Sequence, residues 1–351
     1  MQPLVSVVLP VRNGERWLAE ALDSVTGQAL RDWELIAIDD GSQDGTPGIL
    51  ADCAARDSRV SVVRQEALGL VAALNRGVAA AQGSYIARLD ADDRAVPDRL
   101  DRQAAYLESH PEVGLLGTWA QEIDGAGRRR GVLRPPADHA DLERLLMRGN
   151  PFVHSSVMPR TALVRRLGGF RAAFQAAEDY DLWLRIAETA TVANLPQVLV
   201  EYRVHGGNVT ARNAVRQAFS ARLARLAARL RRETGRDPAQ DLAAAPDWRA
   251  AEASSSFYAE DAALYRLLDL ADPDVAAGAG RDAEIGLLAS RFDDLTHAER
   301  ALAARAMLYH VRSGDRAAAR RTRTVFLHLL RRKPGMMRRG LWRLLPAALL
   351  R

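Results

Sequence analysis

Gly83-Ser84-Tyr85-Ile86-Ala87-Arg88-Leu89-Asp90-Ala91-Asp92-Asp93 decides how this chain folds. Its first six residues read as a buried strand arriving at its C-terminal end. Arg94-Ala95-Val96-Pro97 reads as the start of a new helix. Three carboxylates at a strand end repel one another unless a cation or hydrogen-bond donors compensate. A hard divalent cation with oxygen ligands is the natural compensator. The carboxyl edge of an open α/β sheet is also where such sheets bind ligands. The competing reading is a solvated turn with an Asp helix cap. Taken alone, the turn is the simpler choice; the loops around it reverse that choice.

Upstream, Val5-Ser6-Val7-Val8-Leu9-Pro10 is a short apolar, β-branched run ended by Pro and by Asn13-Gly14, which reads as a buried strand and a turn. Glu15–Ala29 places Trp17, Leu18, Ala21, Leu22 and Val25 at helical spacing. Trp33–Ile38 is a second strand, running into Asp39-Asp40-Gly41-Ser42. Thr46 can cap a helix from Pro47 to about Arg56. Val60–Arg64 reads as a third strand, Leu68–Ala81 as a helix and Tyr85–Leu89 as the fourth strand. Alternating strands and helices predict a mostly parallel sheet with helices on both faces. The loops after strands one, two and four then share one rim: Pro10–Glu15, Asp39–Asp44 and Asp90–Asp93. Gly41 and Gly45 fit neither the dinucleotide nor the P-loop spacing, so phosphates would be neutralised by a metal. Asp39-Asp40 can hydrogen-bond a ribose and base, or simply end a strand in an Asx turn.

Downstream come a helix, Pro97–Ser109, an apolar run, Val113–Trp119, a polar tip, Gly125–Gly131, and a helix, Asp138–Arg148. Asn150–Met158, which contains His154, reads as a loop entering a strand. Glu178-Asp179-Tyr180-Asp181 opens a helix whose N-terminal dipole favours acids. Glu178 and Asp179 also lie near Tyr180, Phe170 and Phe174, and a carboxylate in partly apolar surroundings suits general-base work. Leu195–Val200 is a late strand, followed by Tyr202-Arg203-Val204-His205.

The chain has 351 residues, 48% of them apolar and 26% charged, as expected of a globular protein with a sizeable core. Its one cysteine, Cys53, excludes a disulfide framework and suits a reducing compartment. No signal peptide or membrane span is expected. The net charge of +5 is concentrated at the end, where residues 312–351 carry twelve Arg or Lys against the single acid Asp315. Beyond about Thr210 the composition turns to Ala, Leu and Arg. Ala221–Arg232, Ser254–Leu270, Asp282–Ser290 and His297–Arg312 read as helices of an appendage. Residues 331–346 mix basic residues with Met, Trp and Leu, which suits an anionic bilayer surface. Too few aromatics are present for a nucleic-acid stacking platform, so nucleic acid is not an expected partner.

In order along residues 1–210, several segments resemble the family 2 glycosyltransferases of the GT-A fold. They are Val5–Glu15, Ile38–Thr46, Leu74-Asn75-Arg76-Gly77, Leu89–Asp93, Glu178–Arg185 and Tyr202–His205. The resemblance implies a Rossmann-like GT-A domain over 1–210, a helical region over 211–351, and inverting transfer of a sugar from a nucleotide diphosphate, UDP by preference, to an acceptor hydroxyl. It places Pro10, Arg12, Glu15, Asp39, Asp40, Asn75 and Asp90 around the nucleotide-sugar. Asp92, with Asp90 and His205, would hold Mg²⁺ or Mn²⁺. Asp179 would be the base with Glu178 beside it, and His154 would line the acceptor side. Many relatives carry an aromatic where Arg12 stands; a guanidinium can stack in its place. The implied acceptor is a glycan or lipid-linked glycan of the cell envelope. The implied location is cytoplasmic, with the basic tail adding a peripheral position on the inner membrane face. Two alternatives stay open: a nucleotidyltransferase built on the same sheet, and a non-catalytic nucleotide-sugar-binding scaffold.

Overall fold

The structure is a computed structural model, and it describes residues 2–205, 214–250, 253, 255–268, 295, 296, 299 and 300. Four parallel strands form the first sheet: β1 (Val5–Val11), β2 (Trp33–Asp40), β3 (Val60–Gln65) and β4 (Tyr85–Arg88), in the order β3-β2-β1-β4. β1 is buried along its whole length, as a strand covered on both faces must be. Pro10 sits within it because β4 pairs only with Val5–Val8, so Pro10 lies past the last pairing on that side.

Helices cover both faces, as the alternation predicts. Val5, Val7, Leu9 and Val11 point to α1 (Leu18–Thr26), α2 (Thr46–Arg56) and α4 (Arg99–Ser109), where Leu18, Leu22, Leu50, Leu100 and Leu107 close one core. Val8 and Ile38 face α3 (Leu70–Ala80) on the other side. There the backbone approach is so close that a Cβ on Gly77 would come within 2.4 Å of Val8 Cγ1.

The second sheet has the order β5 (Arg94–Ala95), β9 (Thr191–Val204), β6 (Val113–Asp124), β7 (Arg129–Leu133), with β8 (Met158–Pro159) pairing β6. Here the structure departs from the sequence reading in two places. Arg94-Ala95 is not the start of a helix but a short antiparallel partner of Glu201 and Val200, since the residue before Pro97 is biased toward extended backbone. The late strand is also fourteen residues long and not six. Its register against β6 slips between Leu195 and Val198, where Pro196 interrupts the ladder.

α5 (His139–Leu146) and α7 (Glu178–Ala187) pack on the second sheet, and α6 (Thr161–Arg166) packs against α3 and α7. The chain separates into two compact units, one of residues 1–212 and 224–245, the other of residues 213–223 and those from 246 onward. α8 (Ala214–Thr234) and α9 (Ala259–Leu268) bear out the first two helices read beyond Thr210. The second unit has its own aromatic core, with Phe219 against Trp248, Tyr258 and Tyr265, and a buried ion pair, Arg222–Asp261, at 2.6 Å. The expected helices at 282–290 and 297–312 and the basic segment 331–346 lie outside the described residues, apart from Glu299 and Arg300, which are helical. Among the described residues, no helix is long and apolar enough to cross a membrane.

Candidate active site

The loops after β1 and β2 are stitched together at the carboxyl edge of the first sheet. Asn13 N–H donates to Ser42 Oγ at 2.9 Å, and Gln43 N–H donates back to Asn13 Oδ1 at 2.8 Å. Gly14 N–H donates to Thr46 Oγ1, and Glu15 Oε2 accepts from Gly45 N–H at 2.7 Å. Asn13 adopts a left-handed φ of 52°, which Asn tolerates better than most residues. Thr46 therefore braces the neighbouring loop as the first residue of α2, instead of capping it. Arg12 stands exposed at this rim, with Pro10 buried beneath it. Both paired aspartates are buried and engaged. Asp39 Oδ1 accepts from Ser42 N–H at 2.9 Å. Asp40 Oδ1 accepts from Gln65 Nε2 at 2.7 Å and from Leu68 N–H at 2.8 Å, while its Oδ2 accepts from Gly69 N–H at 3.0 Å. Asp40 thus fixes the turn that opens α3.

The acidic loop after β4 is held from two sides. Arg88, the last residue of β4, forms an ion pair with Asp90. Ser155 Oγ accepts from Asp90 N–H at 2.9 Å and donates to Asp90 Oδ2 at 3.0 Å. Desolvation pushes the Asp90 carboxyl up, but Arg88, His154 and Ser155 outweigh it and hold it below its usual range. Asp92 and Asp93 go the other way: desolvation and the Asp90 charge raise both, Asp93 strongly. From β9, Arg203 N–H donates to Asp93 Oδ1 and Arg203 Nε to Asp92 O, each at 2.7 Å. His205 Nε2 lies 2.9 Å from Asp92 Oδ2, and its ring packs on Trp17 at 4.3 Å. The loop that opened the sequence reading is therefore no solvated turn: it is pinned between β4 and the far end of β9.

α7 brings the third element. Asp179, at its first turn, accepts from Asn150 Nδ2 at 2.8 Å and from Tyr180 N–H at 2.6 Å. Glu178 is 5% exposed, and desolvation, then the Asp179 charge, push its carboxyl up to about 7. Ala176, two residues earlier, holds φ at 68°, an uncommon conformation for a residue with a Cβ, and turns the chain into the helix. Phe170, Trp183 and His154 pack beside this turn, with ring centroids 6.2–6.3 Å apart. Burial and Arg88 hold the His154 ring below its usual pKa, while the charges of Asp179 and Asp90 both act on it in the opposite sense. The segment 150–155 reaches both elements, with Ser155 bonded to Asp90 and Asn150 to Asp179.

Asn75 has a different post from the other expected residues. Its Nδ2 donates to Phe170 O at 2.7 Å and its Oδ1 accepts from Phe170 N–H at 2.8 Å, so it clamps the segment that carries the aromatic wall. Arg88, Ser155, Asn150, Trp17 and Arg203 also belong to the site but were not singled out from sequence. Arg88 adjoins the motif Leu89–Asp93 and Arg203 lies within Tyr202–His205, which was the available signal; Trp17, Asn150 and Ser155 carry none. No group of three or more His, Cys, Asp or Glu side chains among the described residues is arranged to hold a metal ion by itself.

Comparison with known proteins places this arrangement. The profile of "Glycosyl transferase family 2" matches residues 6–167, and the amylovoran biosynthesis glycosyltransferase AmsE of Erwinia amylovora is 34% identical over 213 residues, 60% of this chain and 79% of AmsE. The chain belongs to glycosyl transferase family 2. A further relative, the O-antigen biosynthesis glycosyltransferase WbnJ of Escherichia coli, is 31% identical over 206 residues, 58% of this chain and 80% of WbnJ. Residues 1–349 of TarS from S. aureus, solved in complex with UDP-GlcNAc, superpose with a TM-score of 0.58 at 17% identity, covering 94% of this chain and 92% of that one. The mannosyltransferase PcManGT of Pyrobaculum calidifontis, solved with GDP-Man and Mn²⁺, gives a TM-score of 0.50 at 19% identity over 94% and 87% of the two chains. As a family 2 member with a GT-A fold, the chain is a glycosyltransferase.

Proposed function

We propose that this glycosyltransferase moves a sugar, with inversion, from a nucleotide diphosphate, UDP by preference, to a hydroxyl of a glycan or lipid-linked glycan during envelope polysaccharide assembly. The observation that carries the reading is the segment 150–155, whose Ser155 bonds Asp90 and whose Asn150 bonds the half-buried Asp179, so that one short stretch reaches both the carboxylate-rich loop and the start of α7. The solved relatives' nucleotide-sugars and the biosynthetic names of AmsE and WbnJ support it.

The nucleotide fits the rim formed by Pro10, Arg12, Glu15, Asp39 and Asp40, with the diphosphate toward Asp90 and Asp92. The residues at the loop suit a divalent cation. Asp92 and His205 lie 2.9 Å apart, burial and the Asp90 charge raise the Asp92 carboxyl despite its bond to His205, and a Mg²⁺ site needs only one or two protein carboxylates when phosphates supply the rest. Asp92 and His205, with Asp90 behind them, would hold the ion, which neutralises charge on the departing diphosphate. Asp179 takes the proton of the acceptor hydroxyl as the hydroxyl oxygen bonds to the anomeric carbon and the bond to the diphosphate oxygen breaks. One base suffices for this single displacement; a double displacement would need a nucleophile close to the anomeric carbon. Asn150 keeps the Asp179 carboxylate oriented.

Calorimetry with UDP, GDP and dTDP, each with Mn²⁺ and with EDTA, tests the reading. One diphosphate is expected to bind in a metal-dependent manner, and Asp92→Ala to abolish that binding. Asp179→Asn is expected to keep the binding and lose transfer by about 10²–10⁴-fold. No binding of any nucleotide would overturn the reading. The basic segment 331–346 is proposed to rest on an anionic bilayer. Co-sedimentation with phosphatidylglycerol vesicles should then fall when the chain is ended before Arg331, and equal sedimentation would refute it.

A further inference from the structure

β6 and β7 are joined by a turn, Asp124–Arg128, that is locked by its own acid. Asp124 Oδ1 accepts from Ala126 N–H at 2.9 Å and from Arg128 N–H at 3.0 Å, and Gly127, at φ 78°, donates to Asp124 O at 2.8 Å. The turn presents three consecutive arginines, Arg128, Arg129 and Arg130, whose side chains are 80%, 76% and 63% exposed. The acids they pair with lie beneath them. Asp124, shared by Arg128 and Arg130, is 13% exposed, and Glu201, shared by Arg129 and Arg94, is 19% exposed. Arg94 and Arg203 share Glu20 in turn, and Arg16 lies over the Trp17 ring at 4.5 Å. Half-buried Glu122 flanks Gly131. Arginines therefore outnumber acids here, and the outermost groups are guanidiniums. Arg128 and Arg130 turn to Asp124 and Arg129 to Glu201, as alternation along a strand requires, so the three charges spread around the tip. Charges also keep an edge strand such as β7 from pairing, but Arg128 precedes that strand and protects nothing.

Gly125-Ala126-Gly127 gives the turn no bulky apolar side chain, so what the tip can offer a partner is charge. Trp17, the aromatic bonded to it, is already covered by Arg16, Arg203 and His205, and its ring is no platform for a nucleic-acid base. The tip is also tied to the acidic loop. Trp17 Nε1 donates to Gly125 O at 3.2 Å, and Arg203 donates from Nε to Asp92 O at 2.7 Å and from Nη1 to Asp124 O at 3.4 Å. We propose that the β6–β7 tip is a docking surface for an anionic bilayer, on which Arg128, Arg129 and Arg130 meet phospholipid headgroups. The choice of a bilayer rests on the lipid-linked acceptor proposed above: a tip fixed to the acidic loop brings the catalytic rim to the surface in which such an acceptor is anchored. This contact belongs to the catalytic unit and is distinct in sequence from the basic segment 331–346.

Arg128→Gln, Arg129→Gln and Arg130→Gln together test this on the full chain, by co-sedimentation with vesicles of equimolar phosphatidylglycerol and phosphatidylcholine. A second chain with Arg102→Gln, Arg144→Gln and Arg229→Gln, on α4, α5 and α8, loses the same net charge from other exposed positions. Each arginine at an anionic surface strengthens binding about fivefold, so the tip variant is expected to partition about a hundredfold more weakly than wild type. The distributed variant should stay within about fivefold of wild type. Unchanged partitioning of the tip variant would overturn the proposal. So would an equal fall in both variants, which would assign the attraction to net charge alone. Loss of poly(U) binding with vesicle binding intact would also overturn it, making the tip a nucleic-acid surface. The thermal midpoint reports whether the variants fold; if the triple one does not, each single substitution serves, with about a fivefold fall expected. Vesicle binding is read without nucleotide or acceptor. A tip that binds vesicles in a protein that glycosylates only soluble glycans would therefore sink the lipid-linked reading and leave the surface standing.

Discussion

The residues of α7 carry a pH dependence whose sign follows from burial. Glu178 titrates near 4.5 in an unfolded chain and near 7 here, because desolvation and then the Asp179 charge oppose its ionisation. Between those values the folded protein keeps a proton that the unfolded chain has lost. Stability therefore falls as pH rises through this window, is fully present below it and levels off above about 7. The size is on the order of a few kcal/mol. Glu178→Gln removes the titration at nearly constant volume. The thermal midpoint of wild type should drop relative to that variant as pH is raised from about 5 to about 8. Parallel curves for the two proteins would show that Glu178 is not held protonated. At this scale the sequence was informative where chemistry is crowded into a short run. Asp90-x-Asp92 and Glu178-Asp179 announce themselves. Trp17 and Ser155 do not, because a single Trp on an amphipathic helix or a Ser before a strand has many uses, and only the fold brings them to His205 and Asp90.

Among the elements, the first sheet was legible and the second was not, for a physical reason. β1 to β4 are short, largely apolar runs bounded by turn residues, and each can be read from its own pattern. β5 has two residues, and β9 continues past its apolar centre into Glu201-Tyr202-Arg203, whose partners are Arg94 and the acidic loop. Those pairings link residues more than a hundred positions apart and leave no local period to detect. The clamp of α3 on the 168–174 segment is equally non-local, with Asn75 bonding both main-chain groups of Phe170. Gly169, at φ 70°, must stay small there, since a Cβ would come within 2.5 Å of Asn75 Oδ1. Asn75→Ala is expected to destabilise the protein by about 1–3 kcal/mol by leaving these groups unpaired. Amide exchange should rise over residues 168–174 while β1 to β3 stay protected. Unchanged exchange in that segment would mean that the clamp is idle.

For the whole molecule, the informative feature is where the catalytic unit ends. The sequence reading drew its boundary at 210, where composition changes. The compact unit instead takes in residues 224–245 as well. Two ion pairs make this part of the chain matter to the unit. Arg231 Nε and Nη2 reach the two Glu188 oxygens, both at 2.8 Å, just past the end of α7. Asp237 accepts from Arg171 at 2.7 Å, and Arg171 in turn pairs with Asp181, which is fully buried and also bonded by Arg185. A chain that stops at 210 would leave Glu188 without its partner and Arg171 with one acid fewer, both in half-buried surroundings. Chains of 1–210 and 1–245 would therefore unfold in urea at different denaturant concentrations, the shorter one earlier. Because α7 carries Asp179, the shorter chain should also bind nucleotide but transfer sugar more slowly, since the turn holding the proposed base has lost its outer support. Charge neutralisation at the cut end does not mimic this: Glu188→Gln in the full chain should reproduce only part of the loss, and restoring residues 211–245 should recover all of it. Identical midpoints for the two truncated chains would return the boundary to the change in composition at 210.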